Sequence, residues 1–236
     1  LILELLNISS FVARSPVGEV NYMFFEPSSA DARERLLAAL GETLPLALLG
    51  LLIGLSFAFA FAVLTTVWFA LGQALLPVAL VSQTMPLVAL TPIIVLIFGR
   101  GILATVIVTV SVTFFPAFVT IAQGLALTPR SATDVVRAYG ASKLMQLRLV
   151  SVPSALPYLF AAARLAAPRA LLGVMIAEWL ATGYGLGNLL NESRGRLDYG
   201  MIWAVAAVSV IIAVLFYQLI AAIERRILTR FAAMGA

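Results

Sequence analysis

Most residue types that make or break bonds are missing from this chain. Among its 236 residues there is no cysteine and no histidine, which removes disulfides, Cys/His metal sites, thiol nucleophiles and imidazole acid–base catalysis together. Lys143 is the one lysine, and no Gly-x4-Gly-Lys-Ser/Thr phosphate loop occurs, so nucleotide is not hydrolysed by that route. What remains are charged and polar groups inside long apolar runs. Such groups are costly in a membrane and mark solute pathways or interhelix contacts. Arg169 and Glu178 share one run, but their spacing puts them about 180° apart around a helix, so they cannot pair with each other. Arg169 suits an anionic solute or an acid on another helix. Glu178 falls nearer one end, just before the stretch Gly183-Tyr-Gly-Leu-Gly187. Gln83 and Thr84 precede Pro86, whose missing N–H frees a backbone carbonyl beside them. These three are candidates for a polar pathway or for a kink that serves packing. No run carries the paired carboxylates of an intramembrane enzyme.

The elements that position these groups follow from composition. Hydrophobic residues make up 62% of the chain and charged ones 11%, with a mean hydropathy of +1.07. A soluble domain carries roughly 25% charged residues, so the solvent of this chain is a bilayer. The net charge of +4 is scattered over loops and helices without a polar domain, and does not signal nucleic acid. Each span needs about 20 apolar residues. The stretch between Glu42 and Arg100 is free of charge and holds two spans, with a turn predicted at 69–73, where Gly72 and Gln73 interrupt. Further spans are predicted over 101–129, roughly 157–181, and 199–223. All are too long and continuous for barrel strands, so the expected fold is an all-α integral membrane protein with five visible spans.

Arg130, Arg137, Lys143 and Arg148 in one loop, and Arg225, Arg226 and Arg230 after the last span, place both segments in the cytoplasm. Arg100 falls on the opposite side. The chain then divides into an outer lead-in, 1–42, a transmembrane domain, 43–230, with a cytoplasmic loop at 130–153, and a cytoplasmic tail, 231–236. Leu1 to Leu6 is nearly all apolar and reads as the end of an earlier span or as an amphipathic surface helix.

The 130–153 loop has its own pattern. Ser131 and Asp134 have the spacing of a capping box. Gly140 can take the left-handed conformation that ends a helix, and Ser142 is placed to cap a second short helix, which Pro153 is expected to stop. Two short helices with a glycine corner therefore project on the positive side. Tyr139, Leu144 and Met145 there suit docking to a partner or packing beneath the spans.

Asp134-Val135-Val136, Gly140, Val150, Val152 and Pro153 fall at the spacings of the Glu-Ala-Ala-x3-Gly-x9-Ile-x-Leu-Pro loop of importer-type ABC transporter permeases, which this segment resembles. Asp in place of Glu and valines in place of both alanines depart from that pattern. Ala177-Glu178 and Gly185-Leu186-Gly187 resemble elements of the nitrate/sulfonate/taurine subgroup of binding-protein-dependent transport inner-membrane components, and Pro86 and Pro92 resemble its proline-bearing span. The resemblance covers about residues 40–230. It implies a six-span pattern whose first span is missing or partial, and a coupling helix pair in which Asp134, Arg137, Tyr139, Gly140, Ala141, Ser142, Leu144 and Pro153 meet an ATPase. Gln83, Thr84, Pro86, Arg169 and Glu178 are then candidates for the substrate pathway. The implied partners are a second permease copy or paralogue, two separate ATPase subunits that bind ATP and Mg, an extracytoplasmic substrate-binding protein, and membrane lipid. No catalytic residue, metal site or cofactor is implied in this chain. The implied setting is the inner or plasma membrane of a bacterium, with the C-terminus cytoplasmic. The implied solute is small and polar. Arg169 favours an anion such as nitrate, a sulfonate or taurine, while pyrimidine and riboflavin carriers also belong among the relatives. The alternative class is an ATP-independent secondary transporter or channel, a class that often shows internal repeats; none is evident here.

Overall fold

The computed structural model describes residues 15–233, apart from the side chains of 69 and 230–233. The apolar opening at 1–6 and the end of the tail lie outside the described residues. Every described regular element is a helix. A short α1 (Pro16–Phe24) begins at Ser15, whose hydroxyl accepts from the Gly18 N–H at 3.1 Å. It is followed by α2 (Ser29–Val67), α3 (Phe69–Ser82), α4 (Leu87–Phe98) and α5 (Ile102–Ala126). After α6 (Arg130–Ala138) comes α7 (Lys143–Thr182), which includes two wider π-helical turns, Leu147–Ser151 and Glu178–Thr182. The chain closes with α8 (Gly185–Gly195) and α9 (Tyr199–Ala233). Helices α2, α5, α7 and α9 are each long and apolar enough to cross a membrane. The pair α3–α4 makes a fifth span if counted as one, although it is bent by 107° at the break. The five-span, all-α expectation therefore holds, with one span broken.

The core joins α2, α5 and α7 through small residues, because lipid offers no hydrophobic drive to pack helices and close approach must supply it. Ala47, Ala58 and Ala62 of α2 and Ala166, Ala167 and Ala170 of α7 are all buried. Side chains at Gly50 and Gly54 would run into Thr109 and Thr113 of α5, and one at Gly173 would strike Val112. The threonine hydroxyls at this seam are satisfied within their own helix: Thr109 donates to the Thr105 carbonyl at 2.8 Å and Thr113 to the Thr109 carbonyl at 2.9 Å. At one end of the bundle Asp198 ties three segments together. It accepts from the Tyr22 hydroxyl and the Met201 N–H, each at 3.1 Å, and lies 4.0 Å from Arg35.

Local expectations shift in three places. The break between the first two spans falls at Trp68, in extended conformation, rather than at 69–73. Gly72 instead lets α3 approach α2, since a Cβ there would sit 3.1 Å from the Thr65 carbonyl oxygen. The helix of the cytoplasmic loop starts at Arg130 with Pro129 as its cap, not at Ser131. Pro129 has a fixed φ of −60° and ψ of 122°, so the helical path begins directly after it and leaves Ser131 inside the first turn. Finally, Pro153 does not stop the second helix. The π turn Leu147–Ser151 precedes it, and the chain continues as helix through Val152–Ala177. The missing proline N–H falls where a helical run restarts, the position at which it costs least.

Candidate functional site

Three arrangements come from this frame. The first involves Glu178, which is fully buried. The π turn Glu178–Thr182 and the left-handed Gly183 end α7, and Gly185, with φ of +84°, turns the chain into α8. A helix start leaves its first N–H groups without partners, and here three consecutive ones are caught by side chains. The Gly185 N–H donates to Glu42 Oε2 at 2.7 Å, the Leu186 N–H to Thr43 Oγ1 at 2.8 Å, and the Gly187 N–H to Glu178 Oε2 at 3.0 Å. The Thr43 hydroxyl in turn donates to Glu178 Oε1 at 2.8 Å. Negative side chains at this end also complement the helix dipole. Both glycines are required: a side chain at Gly185 would enter the Glu178 carboxyl, and one at Gly187 would overlap the Met175 carbonyl. Glu178 thus joins α2, α7 and α8, and it lies apart from the other pathway candidates. Partial burial, with the Glu178 and Glu42 carboxylates nearby, raises the Tyr184 phenol above its usual value, so it stays a neutral hydroxyl.

The second arrangement is a cavity of about 270 Å³ between the bent pair and the α5–α7 seam, whose lining includes Ser82, Gln83, Ser111 and Arg169. The corner between α3 and α4 supplies Gln83. Pro86 forms the N-cap of α4 with ψ of 115°, and a proline there forces the preceding residue toward extended backbone. Thr84 and Pro86 stand at the corner but outside the lining, and the Thr84 hydroxyl is spent on the Val81 carbonyl at 2.7 Å. Arg169 lies roughly 20 Å along α7 from Thr182 at about 1.5 Å per residue, near the middle of the span. It makes no hydrogen bond or ion pair among the described residues. It belongs to an exposed stripe of α7 that is otherwise apolar, with Leu165, Leu172, Trp179 and Leu180. A second cavity, of about 360 Å³, lies at the far end of that stripe and brings Arg100 beside Trp179, Thr182 and Asn188.

The third arrangement is the loop joining α6 to α7. Gly140 has φ of +80°, and the N–H groups of Gly140 and Ala141 return to the carbonyls of Arg137 and Val136 at 2.9 and 3.0 Å, a left-handed helix stop. Ser142 caps the next helix by accepting from the Met145 N–H at 3.3 Å. Gln146 pins the corner through the Ala141 carbonyl at 2.9 Å. Nothing in α6 is buried. Tyr139 is 89% exposed and Leu144 71%, so these apolar side chains point away from the spans rather than packing beneath them. Asp134, Arg137 and Pro153 are exposed on the same projection.

Sequence reasoning missed Glu42, Thr43 and Arg100 as participants. Glu42 had one visible signal, as the last acid before the uncharged stretch. Its partners lie more than a hundred positions away in the chain, which no local pattern reveals.

A family model described as binding-protein-dependent transport system inner membrane component matches residues 69–229. The riboflavin transport system permease protein RibX of Chloroflexus aurantiacus is 36% identical over 155 residues, 66% of this chain and 58% of its own. The formylaminopyrimidine transport permease protein ThiX of Halalkalibacterium halodurans is 34% identical over 156 residues, 66% of this chain and 62% of its own. The chain thus spans about 60% of the length of these relatives. Permeases named for nitrate and for aliphatic sulfonates also match, at 29% and 24% identity. The crystal structure of an amino acid ABC transporter with histidines superposes with a TM-score of 0.70 over 84% of this chain and 97% of that one, at 18% identity, a likeness of fold.

Proposed function

The chain belongs to the family of binding-protein-dependent transport system inner membrane components, and on that premise we propose that it is the membrane-spanning subunit of an ABC importer. It forms half of a solute pathway, completed by a second copy or a paralogue, and makes no bonds itself. Two ATPase subunits, which hold ATP and Mg, engage the loop around Gly140 from the cytoplasm, and an extracytoplasmic binding protein delivers solute from the other side. The C-terminus lies on the ATPase side. The observation that carries the reading is the glycine corner with Tyr139, Leu144 and Met145 exposed around it: large apolar side chains on a projection outside the spans call for a protein partner. Affinity purification of the permease expressed with its neighbouring genes tests it. An ATPase subunit should come down in equal amount with the wild type and be lost with Tyr139→Asp and Leu144→Asp combined. A chain that transports solute alone would make it a carrier or channel.

The solute passes the cavity at Gln83, Ser111 and Arg169. An unpaired arginine near mid-membrane supports a small anion, since its own cost is offset while a negative group is bound. The matches named for nitrate and sulfonates agree with this. A planar heterocycle is the second reading, favoured by the relatives named for riboflavin and formylaminopyrimidine and by Trp179 beside Arg100 on the same stripe. Competition of uptake by sulfonates against flavins and pyrimidines separates the two.

A further inference from the structure

A cavity of about 430 Å³ opens between α7 and the end of α9, away from the candidate pathway, and is lined by Arg164, Ala221, Glu224, Arg225, Leu228 and Thr229. We propose that it holds the phosphate of an anionic phospholipid. Arg164 Nη1 is 3.1 Å from Glu224 Oε2, and the same guanidinium lies 5.8 Å from the Tyr217 ring centre. This pair neutralises the one acid in the lining, so Arg225 sets the net positive charge of the cavity. Its Nε donates to the Ala221 carbonyl of its own helix at 3.3 Å, which fixes the side chain, and its terminal nitrogens make no other hydrogen bond or ion pair among the described residues. They are free donors in a geometry that matches a phosphate. The Thr229 hydroxyl donates to the Arg225 carbonyl at 2.8 Å, so recognition of the anion falls to the guanidinium groups.

Depth and surroundings choose a lipid over a free ion. Arg225 stands roughly 39 Å along α9 from Tyr199 at about 1.5 Å per residue, against a hydrocarbon core of about 30 Å. The cavity is therefore at headgroup level. Toward the membrane centre the same stripe of α9, at spacings of three and four, carries exposed Tyr217 and Val214. An acyl chain lying on these residues puts its phosphate at Arg225. Basic cavities between membrane helices are sites where anionic headgroups bind.

The test is native mass spectrometry of the full permease with its copurifying partners, titrated with phosphatidylglycerol, with phosphatidylcholine as the neutral comparison. Phosphatidylglycerol should be retained in preference to phosphatidylcholine. Arg225→Gln should weaken it roughly tenfold or more, as the loss of a charge-assisted pair does. Arg226→Gln, which removes an equal charge outside the lining, should keep the preference, and inorganic phosphate at millimolar levels should not displace the lipid. If Arg225→Gln yields no folded protein, Leu228→Glu supplies the answer by adding a carboxylate at the rim, which should abolish the preference. Three results would overturn the proposal. Equal loss from both arginine variants would mean diffuse attraction to a basic helix end. Displacement by phosphate would mean a site for a free ion. Unchanged binding in the Arg225 and Leu228 variants would mean that the cavity is not used.

Discussion

Replacing Glu178 dissects the junction of α2, α7 and α8. In Glu178→Ala the Gly187 N–H and the Thr43 hydroxyl both lose their acceptor in a fully buried place. Each buried polar group left unpartnered costs about 1–3 kcal/mol, so the two together cost about 2–6 kcal/mol before any cavity is counted. That is a large part of the roughly 5–15 kcal/mol that holds a folded domain. Glu178→Gln separates hydrogen bonding from shape. Its oxygen can still accept from the Gly187 N–H, but its amide faces Thr43 as a donor, so the Thr43 hydroxyl proton loses its acceptor. One bond is lost, at a cost of about 1 kcal/mol. Thr43→Val should resemble the alanine variant more than the glutamine one, because it takes away the acceptor for Leu186 and the donor to Glu178 together. The assay is thermal unfolding in detergent, followed by fluorescence-detected size exclusion. The expected order of midpoints is wild type, then Glu178→Gln, then Thr43→Val and Glu178→Ala. If Glu178→Ala melts with the wild type, the three caps on α8 contribute nothing and the junction is held by packing alone.

Other substitutions have equally definite outcomes. Gly187→Ala forces a Cβ onto the Met175 carbonyl and must shift α8, costing about 1–3 kcal/mol; the melting midpoint should fall by a comparable amount to that of Thr43→Val. Arg169→Leu should abolish uptake in proteoliposomes at normal folded yield, while Arg169→Lys keeps part of it. Full uptake by the leucine variant would make Arg169 a snorkelling residue with no part in the pathway.

The spans were legible because membrane helices need long apolar runs, and 101–129 and 199–223 are uninterrupted. The glycine corner was legible for a similar reason: Gly140 and Ser142 act within four residues of themselves, and both do as their types suggest. Readings failed where a residue answers to distant structure. Gly72 looked like a turn but serves contact with Thr65. Pro153 looked like a stop, yet the preceding π turn lets the helix run through it. From its type alone Glu178 reads as a pathway group or an interhelix contact, and only the structure names the contacts it makes. Its partners, Thr43 and Gly187, meet only when α2 and α8 pack together, and the spacing along α7 carries no trace of that.

Coupling through the Gly140 corner is tested most directly by receptor-stimulated ATP hydrolysis in proteoliposomes, comparing the wild-type complex with Gly140→Val at matched protein level. A Cβ at Gly140 meets open space, so the substitution leaves packing alone and strains only the backbone at φ of +80°, by about 1–2 kcal/mol. The variant should insert normally and bind the loaded receptor, yet lose the stimulation of hydrolysis together with transport. Asp134→Lys, which reverses an exposed charge in the middle of α6, should weaken both in the same direction by disturbing contact with the ATPase. Full stimulation in the Gly140→Val complex would contradict coupling through this corner and leave the loop as a connector between spans.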